Sequence, residues 1–300
     1  MGAFVLTLAG AALLVQWLLW LAPGDAVDLL TADPELRAMM VERWGLDEPP
    51  HIRTLAFIEG ALTGDLGISL TYRPGEEVAE LVWRAGLTSA PTLLLSVLLA
   101  VSVGVTLAYL GQRWTLSRRA VQALSVAPVF LLAATAVVGI NEATFAMLEA
   151  GWIERPDWFA LPLGDSILKS ALAVTMLAVG SSALTEVHQS CDDELRRIRK
   201  SGYVDAAMAR GARLWPHVLW NLVPPLTTIT VSRTAFFVGG LVVIEKVLQL
   251  NGAGAMLWQA CRMRDYPLAI GLVVAAAGVV CASRLLGDVV RIGVDPRLRA

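Results

Sequence analysis

The residues that could do chemistry in this chain are charged groups set inside apolar sequence. Arg233 and Glu245 lie within the apolar block Leu226–Leu248, where a charge is costly unless it faces protein or water. At 1.5 Å of rise per residue they are about 18 Å apart on one helix, too far to pair directly. We interpret Arg233 either as a pathway residue that meets a substrate carboxylate or as a salt-bridge partner of another subunit. Glu245 fits a gate or interface role, or a structural ion pair.

A short segment between two apolar blocks has a second kind of pattern. From Ser201 to Gly211 a polar-ended helix with a small-residue face, including Ala206 and Ala207, leads into a glycine. Small side chains let another protein approach closely, and the glycine permits a turn out of the helix. The pattern predicts a short surface helix that docks into a groove on a soluble partner.

Signatures of catalysis, metal binding and nucleotide binding are missing from the sequence. No Gly-x-x-x-x-Gly-Lys-[Ser/Thr] loop is present, so we expect a chain that is not an enzyme and holds no cofactor. The histidines and cysteines have no metal-ligand spacing, and we expect the cysteines to be buried apolar residues. Glu186 and His188 are expected to form a solvated pair at the end of a span. The residues considered for a metal site are His51, His188, His217, Cys191, Cys261 and Cys281.

The elements that must position these groups are transmembrane helices. The 300 residues are 56% hydrophobic and 17% charged, against about 25% charged in ordinary soluble domains. The net charge of −2 gives no sign of nucleic-acid binding. Charges crowd between long apolar blocks, which predicts an all-α membrane protein of about six spans in a single domain, 1–300. The blocks are Phe4–Leu21, Leu87–Leu110, Ala120–Ile140, Ile167–Val187, Leu226–Leu248 and Leu268–Val290.

Basic residues predict how these spans are oriented. They gather at 113–119, 196–213 and 291–299, which six spans place on one side, and that side should be cytoplasmic together with both termini. Segment 23–86 would then be external and segment 188–224 cytoplasmic. Within the external segment, a short helix is expected at Pro34–Trp44, after Asp33 and ended by Gly45. Further short helices are expected at Glu76–Trp83 and around Met256–Met263.

Seven motifs in order along the chain carry a resemblance to a known family. Ala206-Ala207-x-x-x-Gly211 is similar to the coupling loop of ABC importer permeases, with Asp205 where a glutamate is frequent. The whole chain resembles the dipeptide, oligopeptide and nickel permeases, specifically the first of their two paired permeases. The other motifs are Leu21-Ala22-Pro23-Gly24-Asp25, Trp44-Gly45-Leu46-Asp47-Glu48-Pro49, Gly64-Asp65-Leu66-Gly67-Ile68-Ser69, Val243-Ile244-Glu245 with Gly252-Ala253-Gly254, Arg264-Asp265-Tyr266-Pro267, and Asp295-Pro296-Arg297-Leu298-Arg299.

The resemblance implies a type I importer permease in a bacterial or archaeal cytoplasmic (inner) membrane. Its partners would be a sister permease, two ATPase subunits that bind ATP and magnesium, and an external solute-binding protein. Peptides come first as substrates, then nickel or metal chelates, then other small solutes. The implied ATPase-coupling residues are Tyr203, Asp205, Ala206, Ala207, Ala209, Gly211 and His217. The implied pathway or gate residues are Arg233, Glu245, Gly252 and Gly254.

Two other functions are compatible with an apolar, multi-span chain. An ATP-independent secondary transporter would show internal repeats and ion sites on broken spans, and the sequence shows neither. A membrane scaffold or sensor subunit would keep the helices but lose the transmission of ATPase motion. The stretch from Gly211 to His217 is about one helical turn shorter than is usual in the family, which keeps this second alternative open.

Overall fold

A computed structural model describes residues 2–21, 27–31, 33–111, 128–152, 167–211 and 215–294. Its regular structure consists of helices, apart from an isolated antiparallel bridge between Ile68 and Glu77 and a 3₁₀ turn at Val27–Leu29. The described helices are α1 (Gly2–Leu21), α2 (Pro34–Trp44), α3 (Pro50–Thr63), α4 (Val78–Gly111), α5 (Val129–Glu149), α6 (Ile167–Gly180), α7 (Ala183–Arg199), α8 (Gly202–Ala209), α9 (Trp215–Val247), α10 (Ala253–Arg262) and α11 (Tyr266–Val294).

Several of these helices are built to cross a bilayer. Within the described residues four are long and apolar enough, namely α4, α5, α9 and α11, and the bent pair α6–α7 makes up to five. The helix α1 adds a shorter apolar stretch, Leu6–Leu21. Helices satisfy their own backbone hydrogen bonds, which lipid cannot do for them. The prediction of an all-α membrane protein is therefore confirmed, and the predicted number of about six spans is approximate.

The chain divides into two compact units. The first unit consists of Met1–Ala90 and Asn251–Cys281, and the second of Pro91–Leu250 and Ala282–Ala300. The single-domain boundary 1–300, with segments 23–86 and 188–224, stays a prediction about how the chain sits in a membrane.

The first unit contains the short helix predicted at Pro34–Trp44, which is confirmed as α2. The Asp33 carboxylate accepts a hydrogen bond from the Glu35 N–H at 3.0 Å and so caps the first turn. Gly45 ends the helix in the left-handed conformation, with φ at +59°. The next helix, α3, was not predicted, although Pro50 stands at its first turn and Gly64 follows its last residue.

Two predicted boundaries differ from the observed ones. The short helix expected at Glu76–Trp83 is the beginning of α4, which runs without interruption from Val78 to Gly111 and contains Pro91. The helix expected at Ala120–Ile140 begins, in the described residues, at Val129 and continues to Glu149. Residues 120–127 lie outside the described part of the chain. The helix expected around Met256–Met263 is present as α10.

The span predicted as one piece at Ile167–Val187 is broken. The helix α6 ends at Gly180, α7 begins at Ala183, and the pair is bent by 52°. Ser182, between them, has φ at +60°, which interrupts the helical backbone. Hydropathy could not reveal the break, because apolar residues continue on both sides of Ser181-Ser182. The amphipathic α7 then extends to Arg199, well beyond the predicted end.

The core of the second unit is formed by facing surfaces of α4, α5, α6 and α9. Leu177 and Ile244 are completely buried, and Phe237 is 1% exposed. Small residues such as Ala133 and Ala173 in the same cluster let the helices approach closely. An ideal Cβ on Gly104 of α4 would lie 2.6 Å from Val187 Cγ1 and 3.0 Å from the Leu184 backbone oxygen of α7. At this position α4 therefore packs against the backbone of α7.

We predict that Gly104→Ala lowers the free energy of unfolding of the purified chain in detergent by about 1–3 kcal/mol, because the added methyl group overlaps α7. The melting temperature should fall accordingly. The matched control is Gly139→Ala in α5, where nothing lies within 4 Å of the added carbon. Alanine has a higher helix propensity than glycine by up to about 1 kcal/mol, so the control should be neutral or stabilising. Equal effects of the two substitutions on the melting temperature would contradict this packing.

Candidate functional site

The predicted docking helix is present as α8, eight residues from Gly202 to Ala209. Ala206 and Ala209 are exposed, whereas Val204 is buried. The Arg210 guanidinium donates from Nε to the Ala206 carbonyl oxygen at 3.1 Å, which satisfies an acceptor near the helix end. Gly211 follows with φ at +67°, a conformation that other residues adopt only with strain. The chain thus presents a short helix with small exposed side chains and turns sharply away from it.

The remaining predicted coupling residues lie on α8 and on the first turn of α9. Tyr203, Asp205 and Ala207 are on α8, and His217 is in the first turn of α9; the side chains of all four lie outside the described part of the structure. Residues 212–214 are likewise outside it. The positions nevertheless fall together on one short helix and on the beginning of the next helix.

The helix α8 is attached closely to α7. Only Lys200 and Ser201 separate the two helices, and the Ser201 N–H donates to the Ile198 carbonyl oxygen at 3.0 Å. The Val204 N–H in turn donates to the Ser201 carbonyl oxygen at 3.0 Å. Hydrogen bonds therefore bridge the junction between the two helices.

In the second unit α7 packs against α9 through an apolar cluster. Val187, Cys191 and Leu195 of α7 are buried together with Leu222 of α9, and Ala108 of α4 completes the cluster. Pro224 and Pro225 lie inside α9 just beyond this contact. Proline in a helix interior removes backbone hydrogen bonds and favours a bend. The part of α9 that α7 contacts therefore borders a segment that can bend.

An ion pair fixes the beginning of α7 to the middle of α9. Arg233 Nε donates to Glu186 Oε2 at 2.6 Å, and a second contact from Nη2 to Oε1 makes the pair bidentate. The two side chains are 21% and 34% exposed, and the guanidinium also lies 4.8 Å from the centroid of the Phe236 ring. A bidentate arginine–carboxylate pair constrains geometry as well as charge. Of the two interpretations of Arg233, the structure thus gives it a salt bridge, but to its own chain.

The expectation of a solvated Glu186–His188 pair is wrong. His188 is only 2% exposed, and Glu186 contacts Arg233 instead. Side chains two residues apart on a helix point in different directions, so Glu186 and His188 do not share a face of α7. The sequence offered no signal for the Glu186–Arg233 pair, because its members are 47 residues apart.

The other predicted pathway residues lie at the ends of helices. Glu245 is 2% exposed near the end of α9, where its carbonyl oxygen accepts from the Leu250 N–H at 2.8 Å. Gly252 precedes α10, and Gly254 is buried in its first turn. Glu245 belongs to the second unit and the two glycines to the first.

A groove of about 690 Å³ runs between α7 and α9 in the second unit. Glu186, Asp193 and Glu194 line it from α7, and Asn221 and Pro224 line it from α9. Its surface is mixed, because acidic and polar side chains lie beside Arg197 and the apolar Pro225 and Ile229. No group of three histidine, cysteine or acidic side chains in the described residues is placed to hold a metal ion.

In the first unit a buried carboxylate holds a loop in place, and the sequence analysis assigned it no role. Asp265 is completely buried, and its Oδ2 accepts from the Ser69 hydroxyl at 2.5 Å. The same oxygen accepts backbone N–H bonds from Leu70, Thr71 and Tyr72 at 3.0–3.1 Å. A buried charge is tolerated when hydrogen bonds satisfy it in this way. The Asp265 carboxylate therefore fixes the conformation of residues 69–72.

One half of this arrangement has a sequence signal. Asp265 immediately precedes α11, Pro267 lies in the first turn, and Asp265 Oδ1 accepts from the Leu268 N–H at 3.3 Å. Aspartate before a helix with an early proline is a typical N-cap pattern. The other half, the contact with Ser69, joins residues 196 positions apart and could not be inferred from local sequence.

Comparisons with known proteins identify the family of this chain. Residues 93–300 match the family model described as "Binding-protein-dependent transport system inner membrane component". Over 98% of its length the chain is 26% identical to the glutathione transport system permease protein GsiC of Salmonella paratyphi A, covering 95% of that protein. A putative peptide permease of Brucella ovis is 29% identical over 96% of this chain and 93% of its own. The oligopeptide transport system permease AppB of Bacillus subtilis is 26% identical, with 92% and 90% covered.

The ion pair can be tested by a double-mutant cycle on the melting temperature. We predict that Glu186→Gln and Arg233→Gln each destabilise the chain by about 2 kcal/mol, because each leaves a partly buried charge without its partner. The double substitution should cost less than the sum. The exposed pair Glu80 and Arg84 is the control, with a coupling of about 0.3–0.5 kcal/mol. Strict additivity at Glu186 and Arg233 would exclude the pair.

A second prediction concerns the Asp265 carboxylate. Asp265→Asn should speed hydrogen exchange of the Leu70, Thr71 and Tyr72 amides by about tenfold or more, because their shared acceptor loses its charge. Asp65→Asn is the control, since this exposed carboxylate accepts a hydrogen bond from the Gly67 N–H, which lies outside residues 69–72. Unchanged protection of residues 70–72 in Asp265→Asn would show that another group holds the loop.

Proposed function

The chain belongs to the family of binding-protein-dependent transport system inner membrane components, and on that premise we propose that it is the permease of an ATP-driven importer for peptides or related small solutes. The names of its relatives support this substrate class, since they are glutathione, peptide and oligopeptide permeases. A transporter subunit of this kind is a membrane component that catalyses no reaction itself.

The assembly we propose has three kinds of partner. A sister permease completes the translocation pathway, two ATPase subunits bind ATP and magnesium, and an external solute-binding protein delivers the substrate. Segment 188–224 and both termini lie on the cytoplasmic side, and segment 23–86 lies outside. The distribution of basic residues supports this orientation.

The observation that carries the proposal is the exposed face of α8. Ala206 and Ala209 leave room for a partner's side chains, and Gly211 turns the chain away from the helix end. We assign the ATPase-coupling role to this helix with Tyr203, Asp205, Ala207 and, on the next helix, His217. A helix inserted in a groove of the ATPase moves when that groove closes.

The attachment of α8 supports a route for this motion into the membrane. Hydrogen bonds at Ser201 join α8 to α7, and the Glu186–Arg233 pair with the apolar cluster joins α7 to α9. ATP-driven displacement of α8 would therefore rock α7 and α9 together. Packed helices transmit such displacements because interiors resist compression.

The pathway residues have matching roles in this proposal. Arg233 holds α7 against α9 while the two helices move, and Glu245 of the second unit acts as a gate residue. Gly252 and Gly254 belong to the first unit and are separate candidates for the pathway. Glu245 supports such a role because it is a buried carboxylate near the end of an apolar helix, where charges are costly and frequently functional.

The proposal is tested by uptake into vesicles that contain the chain with the subunits that co-purify from mild detergent. We expect a second permease and an ATPase in the purified material. A labelled peptide should be transported in an ATP-dependent way, away from the side of the membrane on which the binding protein docks. Recovery of the chain alone, or uptake that proceeds without ATP, would refute an ATP-driven importer.

The coupling role makes a sharper prediction at Gly211. A β-branched residue is strained at φ +67°, so Gly211→Val should reorient the end of α8 and lower peptide uptake per ATP hydrolysed by about tenfold, a 1.4 kcal/mol effect. Membrane insertion should be normal. Gly75→Val is the matched control, because Gly75 is also left-handed, with φ at +88°, has nothing within 4 Å of the added carbon and lies away from α8. Full transport in Gly211→Val would remove this glycine from the coupling mechanism.

A further inference from the structure

The first unit contains a partly open cavity of about 310 Å³ that transport does not explain. The end of α1, the loop after α2, the middle of α3, the loop after α3 and the beginning of α11 surround it. We call it the Gln16–Arg53 cavity after its two most informative residues. Trp44, Phe57 and Tyr266 form aromatic walls. A cavity with apolar walls and a few polar groups is the usual form of a small-ligand site.

Gln16 is the first sign of a ligand. It lies on the apolar helix α1 and is 4% exposed, and its Oε1 accepts no hydrogen bond from any described residue. A buried amide oxygen without a donor costs about 1–3 kcal/mol. Gln16 also lines the cavity, so a ligand N–H group placed there would supply the missing donor.

Arg53 is the second sign. Within the described chain its guanidinium stacks 5.1 Å from the centroid of the Tyr266 ring and makes no hydrogen bond or ion pair. Burial lowers the pKa of Arg53 from its ordinary value, while the charge of Glu48 acts in the opposite direction. Arginine nevertheless stays charged and offers five donors that suit a phosphate group. The cavity therefore combines a cation with free donors and two acidic residues on its wall, Glu48 and Asp65. The Asp65 carboxylate already accepts a hydrogen bond from the Gly67 N–H at 2.8 Å.

The position of the cavity favours a lipid over a dissolved solute. Gln16 is five residues before the end of α1 at Leu21, about 7.5 Å along the helix, and Tyr266 is the first residue of α11. Both apolar helices thus end at the level of the cavity. On the outer face of α1, Trp17 and Trp20 are exposed and pack edge to face at 5.8 Å. Exposed tryptophans are favoured at the headgroup level of a bilayer.

We propose that the Gln16–Arg53 cavity binds the headgroup of a phosphatidylethanolamine molecule. The lipid phosphate accepts hydrogen bonds from the Arg53 guanidinium. The primary ammonium donates to Gln16 Oε1 and faces the Glu48 carboxylate, and the aromatic walls contact the carbons between the two charges. The positive, negative and neutral-acceptor groups of the cavity thereby complement a headgroup that carries both charges. This site is independent of the coupling role of α8.

The test is lipid retention by the full-length chain and its co-purifying subunits. The protein is equilibrated in nanodiscs with equal amounts of phosphatidylethanolamine and phosphatidylglycerol, then released into mild detergent, and the retained lipid is measured by native mass spectrometry. The variants are Gln16→Leu and Arg53→Gln. Arg84→Gln, an exposed arginine of the same unit outside the cavity, is the control. Soluble phosphoethanolamine and glycylglycine serve as competitors.

We expect one phosphatidylethanolamine per chain, a preference over phosphatidylglycerol of about tenfold or more, and loss of that preference in both variants but not in the control. Gln16→Leu should also leave the melting temperature in lipid-free detergent equal or higher, since it removes an unsatisfied buried group. Equal retention of the two lipids would overturn the proposal, because the ammonium would then not be recognised. Displacement by either soluble competitor at millimolar concentration would overturn the lipid assignment.

Discussion

The attachment of α7 to α9 is the interaction on which the rest of the second unit depends. The bidentate Glu186–Arg233 pair fixes the first turn of α7, and the cluster around Cys191 and Leu222 fixes the remainder. Because α6 and α7 are separated by a 52° break, α7 is not held as the continuation of a straight span. Its orientation comes from α9 and from the close contact at Gly104. A helix held in this way is suited to pass a movement of α8 on to α9.

In the first unit, a buried carboxylate provides hydrogen-bond acceptors for the backbone of a loop. Its loop 69–72 has backbone donors that need acceptors, and the buried Asp265 carboxylate supplies one oxygen to three of them and to Ser69. The same side chain caps α11. One charge therefore joins a loop to the beginning of a long apolar helix.

Local patterns made part of this structure predictable. Asp33 and Gly45 mark the ends of α2, and Gly211 marks the turn after α8, because capping and left-handed turns depend on residues close in sequence. The break at Ser182 was missed because hydropathy is continuous across it. The Glu186–Arg233 and Ser69–Asp265 contacts join residues 47 and 196 positions apart. Periodicity carries no information about such pairs, which only the packing of helices creates.

In the proposed mechanism, α8 is the surface on which a nucleotide-hydrolysing subunit pushes. The most direct measurement is chemical crosslinking from a cysteine introduced into this helix. The exposed Cys261 is replaced by serine, and the two remaining cysteines, Cys191 and Cys281, are buried. With Ala206→Cys, a short bifunctional reagent should join the chain to the ATPase subunit in the assembled transporter, whereas Ala38→Cys on the exposed face of α2 should not. Failure of Ala206→Cys to crosslink to any ATPase, with the assembly intact, would contradict the account.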